Sequence, residues 1–284
     1  MAGHLGCKTK KTKMILELHY KGLSAAEILS EIVKIYPTSS IGSIHLRLSR
    51  NGIRCNKWKM PRRAFLNEDY FEKINSERVA YFFGLICADG CVRSAESRIT
   101  LGLRKEDGYL IHELKKEIKA TYKISIKKPS NGGFQEYMQL YSTKMVNDLK
   151  SHGCVDRKSL TLEFPNIEDE YVGSFLRGYF DGDGWIHEHI TEGQQYKRFG
   201  LIGSAIFCSQ LKNILLVKFG IKSLFHQPKN KKYAVLQIAA QDDVLRIRDI
   251  MYMYDTISLK RKKDKFYSKY SYVKSPYKKV YIDW

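Results

Sequence analysis

The sequence predicts an α+β protein built from two related halves, each with an antiparallel sheet, and preceded by a small all-α domain. Two observations carry this prediction. The stretch FFGLICADG at 82–90 has nearly the same form as LRGYFDGDG at 176–184, and strand-like and helix-like segments follow both in the same order. The first 62 residues instead show apolar residues at helical spacing. These patterns divide the chain into domains at 1–62, 63–165 and 166–284.

The composition indicates a polyanionic partner. Lys and Arg number 49 against 30 Asp and Glu, so the formal net charge is +19. Nucleic acid is the first candidate, followed by anionic membrane or ribosomal RNA. No apolar run approaches the roughly 18 residues of a membrane span, and the basic N-terminus lacks the apolar core of a signal peptide. We expect an intracellular protein of the cytoplasm or nucleoid, without a membrane partner and with its six scattered cysteines reduced.

The N-terminal segment 1–62 predicts three short helices. Ser24 and Glu27 form a capping-box pattern before the second helix, and the Asn51-Gly52 pair suits the end of the third. A basic, hydroxyl-rich third helix is typical of a helix-turn-helix DNA-binding domain. On that interpretation the residues facing the major groove are Ser40, Ser43, His45 and Arg47. The alternative is a helical bundle whose charges are only solvated. The basic stretch NKWKMPRR at 56–63 is then a linker.

The two repeated stretches carry pairs of small residues four positions apart, Gly84 with Ala88 and Gly178 with Gly182. Residues at i and i+4 share one helix face, and small residues there let two helix backbones approach closely. If the two helices pack on each other, their C-terminal ends meet. Asp89 and Asp183 then lie side by side. Gly90 and Gly184, which follow them, suit a left-handed residue after each helix.

The predicted carboxylate pair is electrostatically unfavourable, because a helix C-terminus carries partial negative charge and a second carboxylate lies nearby. A raised pKa is one resolution. A divalent cation is the better one in a protein built to meet phosphates, because carboxylates suit Mg²⁺ and paired metals assist phosphodiester hydrolysis. The alternative is that each Asp only ends its helix with a local hydrogen bond. The presence of the feature in both copies disfavours that alternative.

These motifs resemble the LAGLIDADG homing endonuclease family in its single-chain, two-motif form. The resemblance covers about residues 70–284 and leaves the N-terminal helices outside it. It implies a pseudo-twofold pair of αββαββα halves with saddle-shaped antiparallel sheets. It also implies site-specific cleavage of double-stranded DNA with short 3′ overhangs, by a monomer associated with an intron, an intein or another mobile element.

The resemblance implies a metal site made by residues of both motifs. Asp89 and Asp183 match the family's Mg²⁺-binding Asp residues, and Mn²⁺ or Ca²⁺ can substitute in binding. The residue before each Asp lends a main-chain oxygen, and these residues are Ala88 and Gly182.

The resemblance also implies a catalytic basic residue late in each half, close to the scissile phosphates and activating waters. The matching residues are Lys158 and Lys262, although Lys260, Arg261 and Lys263 crowd the second assignment. The alternative role for such a lysine is a plain phosphate contact. Cys87 departs from the motif, which has an earlier Asp there, whereas the second copy keeps Asp181. We do not take Cys87 as a sign of inactivity, because the cleavage role falls on the later Asp.

Members of the family read DNA with the antiparallel sheets laid along the major groove, and strand alternation fixes which side chains face it. The residues expected there are Arg93, Tyr137, Gln139, Tyr141, His187, His189, Tyr233 and Gln237. Met138 and Leu140 should turn toward the helices instead. For any one of the eight, the alternative is an ordinary exposed sheet residue. The run His187-Glu188-His189 also suggests a metal site, but no third ligand is apparent.

Three rival functions stay open at this point. An intron RNA maturase on the same fold would bind host intron RNA, with or without DNA cleavage. A non-catalytic DNA-binding regulator would be expected to have lost its acidic positions, and both survive here. A generic basic RNA-binding protein leaves the internal repeat unexplained.

Overall fold

The computed structural model describes residues 10–53, 64–128, 133–191, 194–254 and 256–268. The chain divides into two compact units, Met1–Arg63 and Ala64–Trp284. The linker predicted at 56–63, together with Cys7 and Cys55, lies outside the described residues. Within the described ranges, no helix is both long enough and apolar enough to cross a membrane.

The first unit contains three helices, α1 (Lys10–Tyr20), α2 (Ala25–Val33) and α3 (Ile41–Arg50). They enclose a small apolar core formed by Ile15, Ala25, Ile28, Ile32, Ile44 and Leu48. The predicted capping box is confirmed, because the Ser24 N–H donates to Glu27 at 2.7 Å and the Glu27 N–H donates to the Ser24 hydroxyl at 3.4 Å. Gly52 takes φ +77 directly after the Asn51 cap, which confirms the predicted stop of α3.

The side chains predicted to face a DNA groove from α3 mostly serve the fold. Ser40 and Ser43 form a second capping box, in which each hydroxyl accepts the other residue's N–H at 3.2–3.3 Å. The Arg47 guanidinium donates to the Thr12 hydroxyl of α1 at 2.8 Å, and His45 is partly buried. That these four residues face the major groove stays a prediction. The exposed face of α3 is formed by Gly42, Leu46, Ser49 and Arg50.

The first half of the second unit runs in the order helix, two strands, helix, two strands, helix. Its elements are α4 (Glu77–Asp89), β1 (Cys91–Arg93), β2 (Arg98–Arg104), α5 (Tyr109–Glu117), β3 (Ile124–Lys127), β4 (Gln135–Tyr141) and α6 (Thr143–Ser151). The four strands form an antiparallel sheet in the order β1-β2-β4-β3.

The second half repeats this order and adds a helix. Its elements are α7 (Asp169–Asp183), β5 (Gly184–Thr191), β6 (Gln194–Ser204), α8 (Ala205–Phe219), β7 (Leu224–His226), β8 (Tyr233–Ile238), α9 (Gln241–Tyr252) and α10 (Lys260–Tyr267). Its antiparallel sheet has the order β5-β6-β8-β7, which is the order of the first sheet. The predicted α+β class with two αββαββα halves is confirmed.

Each sheet buries one face against its helices. In β4, Met138 and Leu140 are 1% and 2% exposed, as the predicted alternation requires. In β8 the buried residues are Ala234, Leu236 and Ile238. The opposite face of each sheet therefore carries the alternate side chains of the same strands, and these are the side chains predicted to meet DNA.

Helices α4 and α7 pack closely because the small residues of both motifs face each other. A β-carbon added to Gly84 would overlap the carbonyl oxygen of Phe175 and lie 2.9 Å from the Tyr179 nitrogen. A β-carbon on Gly178 would overlap the carbonyl oxygen of Tyr81. The predicted close approach of the two helices is confirmed, and it brings their C-terminal ends together.

The expectation of left-handed glycines after both helices was wrong. Gly90 has φ −75 and ψ 149, and Gly184 has φ −103 and ψ 168, so both are extended. Each glycine is required for a different reason. A β-carbon on Gly90 would lie 2.6 Å from the Ile86 carbonyl oxygen, and one on Gly184 would lie 2.7 Å from that of Phe180. The chain turns directly from helix to strand over its own last helical turn, where only glycine fits.

Candidate active site at the ends of the paired helices

Asp89 and Asp183 are the last residues of α4 and α7, so the packing of these helices brings both carboxylates to one place. The close approach can be measured at Gly182, the residue before Asp183. A β-carbon there would overlap Ala88 and lie 3.2 Å from the Asp89 carboxylate oxygen Oδ2. The carboxylate of one half therefore lies against the motif backbone of the other half.

The paired carboxylates are costly to ionise. Asp89 keeps an exposed edge, yet the surrounding protein desolvates its carboxylate and, with the charge of Asp183, raises its pKa to about 6. Burial also raises the pKa of Asp183. The ammonium groups of Lys158 and Lys262 act in the opposite direction on both residues. The site thus holds two carboxylates whose negative charge is only partly compensated.

Lys262 enters the site from the first turn of α10 and is 7% exposed. Its ammonium donates to the main-chain oxygens of Phe180, Asp181 and Gly182 at 2.8, 2.7 and 3.1 Å. These oxygens belong to the last turn of α7, where a helix carries partial negative charge, and that of Phe180 also accepts the Gly184 N–H. Burial lowers the pKa of Lys262 to about 8.

Lys158 is the counterpart of Lys262 in the first half, and it is 5% exposed. It begins a single 3₁₀ turn, Lys158–Leu160, directly after Arg157 at φ 56. Its ammonium donates to the main-chain oxygen of Gly90, the residue after Asp89. Both lysines therefore lie at the ends of the paired helices, and they supply part of the positive charge that the carboxylate pair requires.

The oxygen atoms at this site suit a hard divalent cation. The carboxylates of Asp89 and Asp183 are brought together here, while the main-chain oxygens of Ala88 and Gly182 stay predicted ligands. In the part of the chain that the structure describes, no group of three or more His, Cys, Asp or Glu residues could hold a metal. A cation here would therefore take its remaining ligands from water and from phosphate, which is how Mg²⁺ is commonly held.

A cavity of about 270 Å³ lies beside Asp183. Its walls include Ala88, Lys158, Tyr179, Asp183 and Tyr233. It places a carboxylate, an ammonium group and two aromatic rings around one space. This space is large enough for a phosphate group with several water molecules.

Residues 170–252, which run from α7 to the end of α9, match the family model of the LAGLIDADG-like domain. The chain contains a LAGLIDADG-like domain. This match contains the second motif and confirms the resemblance seen there, while the helix-turn-helix assignment of the first unit stays a prediction.

Other proteins are similar to longer parts of this chain. A probable translation initiation factor IF-2 of Methanocaldococcus jannaschii is 24% identical over 185 residues, and the match covers 61% of this chain. The chain spans only 15% of that relative's length. The crystal structure of the LAGLIDADG meganuclease I-AabMI bound to uncleaved DNA has 15% identity and a TM-score of 0.49, covering 68% of this chain and 90% of that one. The I-SmaMI LAGLIDADG homing endonuclease bound to cleaved DNA has 14% identity and a TM-score of 0.45, covering 68% and 87%.

The residues predicted to meet DNA from the first sheet lie on its open face. Tyr137 and Gln139 are partly buried and Tyr141 is exposed. The ammonium group of Lys127, on the neighbouring strand, lies 4.6 Å from the centre of the Tyr137 ring. Arg93 is exposed and forms an ion pair with Glu96 at 3.4 Å. These side chains lie on one surface, and Lys127 adds a charge there that the motif analysis missed.

The second sheet arranges its predicted contacts similarly. Tyr233 and Gln237 alternate with the buried residues of β8. His187 and His189 lie on one face of β5 with their rings stacked at 6.2 Å, and His189 stacks in turn on Tyr196 at 5.5 Å. Glu188 turns away from both imidazoles, because it accepts a hydrogen bond from Ser268 at 2.5 Å. The His187-Glu188-His189 run therefore does not gather its three side chains into a metal site.

The motif analysis also missed a group of buried polar residues behind the site. The Tyr81 hydroxyl of α4 donates to the Asp181 carboxylate of α7 at 2.8 Å. The wholly buried Arg177 guanidinium lies 5.4 Å from the centre of the Tyr81 ring and donates to the Met251 main-chain oxygen at 2.5 Å. One sequence signal was available, since Asp181 matches the position of Cys87 in the other copy and the two copies differ there.

Proposed function

We propose that this protein is a monomeric, divalent-cation-dependent endonuclease that cleaves double-stranded DNA within a long specific site and leaves short 3′ overhangs. The observation that carries the proposal is the pairing of Asp89 and Asp183 at the ends of two packed helices, one from each half of the chain. Two related halves can each address one strand of a duplex. A single chain of this form therefore suits the cleavage of both strands.

The carboxylates of Asp89 and Asp183, with the main-chain oxygens of Ala88 and Gly182, would hold Mg²⁺, and Mn²⁺ or Ca²⁺ can replace it in binding. When bound, the cation neutralises charge that develops on the phosphate and lowers the pKa of a bound water. The protein's own contribution is to keep both carboxylates at one place, where partial burial raises the pKa of each and the charge of Asp183 raises that of Asp89 further.

Lys158 and Lys262 have a second role in this proposal. Their ammonium groups are buried at the helix ends, where they add positive charge beside the carboxylates. A fixed ammonium group that faces a phosphate stabilises charge on the pentacoordinate state without reorganising at the moment of reaction. The lowered pKa of Lys262, about 8, also leaves it able to orient or exchange protons with water near neutral pH.

The open faces of the two sheets supply the DNA-binding surface in this proposal. They present aromatic, amide, imidazole and cationic side chains, and the chain as a whole carries a net charge of +19. Phosphate contacts by such a surface would position the duplex, and the side chains predicted to reach base edges would select the site.

Cleavage mapping tests the proposal. The protein is incubated with a complex pool of duplex DNA and Mg²⁺, and the new DNA ends are sequenced. Asp89→Asn and Asp183→Asn should abolish cleavage, whereas Asp264→Asn, an exposed change of equal charge on α10, should not. Recurrent paired ends with short 3′ overhangs, lost on chelation of the cation, support the proposal.

The failures of this experiment are also informative. Tight binding to duplex DNA without cleavage would overturn the nuclease and favour a regulator. Preference for structured RNA without DNA cleavage would overturn it in favour of a maturase.

A further inference from the structure

Asp181 is the only residue of the second motif, apart from Asp183 itself, that carries a carboxylate, and it is 3% exposed. It lies on α7, two residues before Asp183. One carboxylate oxygen, Oδ2, accepts the hydroxyl of Tyr81 at 2.8 Å and the main-chain N–H of Leu259 at 2.7 Å. A buried charged group needs such partners to offset the loss of water. Asp181 therefore connects three segments, namely α4, α7 and the chain that enters α10.

The contact with Leu259 fixes the start of α10. Leu259 is the residue immediately before this helix, and Lys262 lies in its first turn. The Asp181 carboxylate thus holds the main chain three residues before the ammonium group that reaches Phe180, Asp181 and Gly182. The first half assists from the other side, because the Tyr109 hydroxyl accepts the Lys260 N–H at 2.9 Å.

The first half has a thiol where the second has this carboxylate. Cys87 lies two residues before Asp89, as Asp181 lies two residues before Asp183. Val155 lies three residues before Lys158, as Leu259 lies three before Lys262. The Val155 N–H donates to the Gly153 oxygen at 3.1 Å, and the first motif helix contacts this segment only one residue earlier, through a hydrogen bond between the Cys87 and Cys154 thiols instead of one from a carboxylate to the main chain.

Lys158 and Lys262 also differ in the oxygens to which their ammonium groups donate. Lys262 donates to three oxygens in the last turn of α7, at the three positions before Asp183. Lys158 donates to Gly90, one position after Asp89. The ammonium groups of the two halves are therefore not related by the internal repeat, although the lysines themselves are.

We propose that Asp181 is a positioning residue that holds Lys262 through Leu259, and that the two halves of the site are consequently not equivalent. The part concerning DNA strands rests on the proposed nuclease function. If each lysine serves one scissile phosphate, loss of Asp181 impairs the strand that depends on Lys262 and spares the other strand. The placement of Lys262 itself does not depend on the nuclease function.

Amine labelling of the free protein tests the placement. Lysines are labelled with acetic anhydride and the extent at each residue is measured by mass spectrometry. In Asp181→Cys, which gives the second motif the residue of the first, Lys262 should be labelled several-fold faster than in the unchanged protein. Asp181→Asn keeps an oxygen that can accept the Leu259 N–H and should restore protection. Wild-type protection of Lys262 in Asp181→Cys would overturn the positioning role.

Two controls separate local from global loosening. Lys197 is 1% exposed and lies in β6, so its labelling should not change in any folded variant. Cys87→Ala makes the matched change in the first motif and should leave the labelling of Lys262 unchanged. A variant in which Lys197 becomes reactive is unfolded. The labelling of Lys262 is then compared between Asp181→Asn and the unchanged protein.

Strand-resolved cleavage tests the non-equivalence. A duplex labelled on either strand is cut by each variant, and the ratio of the two rates is compared, because this ratio does not depend on the active fraction. Asp181→Cys should slow one strand about 10-fold more than the other. Lys262→Met should slow the same strand. Equal slowing of both strands would overturn the non-equivalence, whereas a wild-type protein that cuts neither strand would overturn the proposed function and leave the labelling result intact.

Discussion

Lys262 donates a hydrogen bond to the main-chain oxygen of Gly182 across 3.1 Å. The ammonium group of one predicted catalytic residue therefore occupies an oxygen that is also predicted to bind a cation. A carbonyl oxygen can accept two partners, but two positive charges at such close range repel each other. In the cation-free protein, the lysine offsets part of the charge of Asp89 and Asp183. A bound cation would offset the same carboxylate charge and would be repelled by the ammonium group of Lys262.

The first prediction concerns cation affinity. Lys262→Met removes the competing charge, so we expect Ca²⁺ to bind about 5-fold more tightly at pH 8, which corresponds to about 1 kcal/mol of electrostatic repulsion. Isothermal titration calorimetry of the free protein measures the dissociation constant. Lys260→Met, an exposed change of equal charge on the same helix, is the control. Weaker Ca²⁺ binding in Lys262→Met would show that the lysine supports the cation site.

The second prediction concerns stability and pH at Asp89. Folding raises the pKa of this carboxyl from 3.8 to about 6. A group whose pKa is raised on folding stabilises the folded state at low pH, when it is protonated, and this contribution is lost as the pH rises through the folded value. At pH 8 the ionised Asp89 therefore destabilises the cation-free protein. Asp89→Asn should raise Tm by about 1–3 °C at pH 8, and the gain should disappear by pH 4.

Thermal unfolding by circular dichroism in a chelating buffer measures this difference. Asp264→Asn is the matched control, since Asp264 is exposed on α10. A gain in Asp89→Asn that is the same at both pH values would mean that the ionisation of Asp89 is not its cause.

The features that sequence could predict are those that neighbouring residues determine. The burial of Met138 and Leu140 follows from strand alternation, and the capping box of Ser24 follows from local hydrogen bonding. The pairing of Asp89 with Asp183 was also predictable, because small residues on one helix face in both copies of the motif favour close packing of the two helices. Repetition supplied the long-range information that a single motif lacks.

The features that sequence could not predict depend on contacts between distant segments. Tyr81 and Asp181 are 100 residues apart, and nothing near either one indicates their hydrogen bond. Gly90 has an extended backbone because β1 begins at the next residue and the chain passes close over Ile86. A glycine after a helix suits this extended turn and a left-handed cap equally well, so the sequence alone does not distinguish them. The pattern of the third helix also did not indicate that the Ser43 hydroxyl takes part in the cap of α3, where it accepts the Ser40 N–H.

The third prediction concerns the packing of the two motif helices. A methyl group at Gly84 meets the Phe175 and Tyr179 backbone, which cannot move aside as a flexible side chain could. Although Ala favours a helix over Gly by up to about 1 kcal/mol, we expect Gly84→Ala to lower the free energy of unfolding by about 1–3 kcal/mol. Urea denaturation measures this free energy of unfolding. Gly133→Ala, where an added methyl meets open space, should stay near the unchanged protein. A stabilised Gly84→Ala would contradict the close helix contact.

The fourth prediction concerns salt. If the protein contacts about ten phosphates, the logarithm of its affinity for duplex DNA should fall with the logarithm of salt concentration with a slope near −9. Lys127→Gln removes one charge from the open sheet face beside Tyr137 and should reduce that slope by about 1. Lys116→Gln makes the same change on α5, which covers the opposite face, and should leave the slope unchanged. Fluorescence anisotropy at several salt concentrations gives the slope, and a nearly salt-independent affinity would contradict the prediction.

The fifth prediction concerns the N-terminal unit. Its three helices have their own apolar core, and the second unit has a separate one, so removal of residues 1–63 should leave the second unit folded. We expect the shortened protein to cleave at the same position while protecting a shorter stretch of DNA. In the full chain, Arg50→Gln on the exposed face of α3 should lose the same outer protection, whereas Lys34→Gln at the end of α2 should keep it. DNase I protection maps the boundaries. A footprint of unchanged length in both variants would mean that the helix-turn-helix assignment is wrong and that this unit serves something other than DNA contact outside the cleavage site.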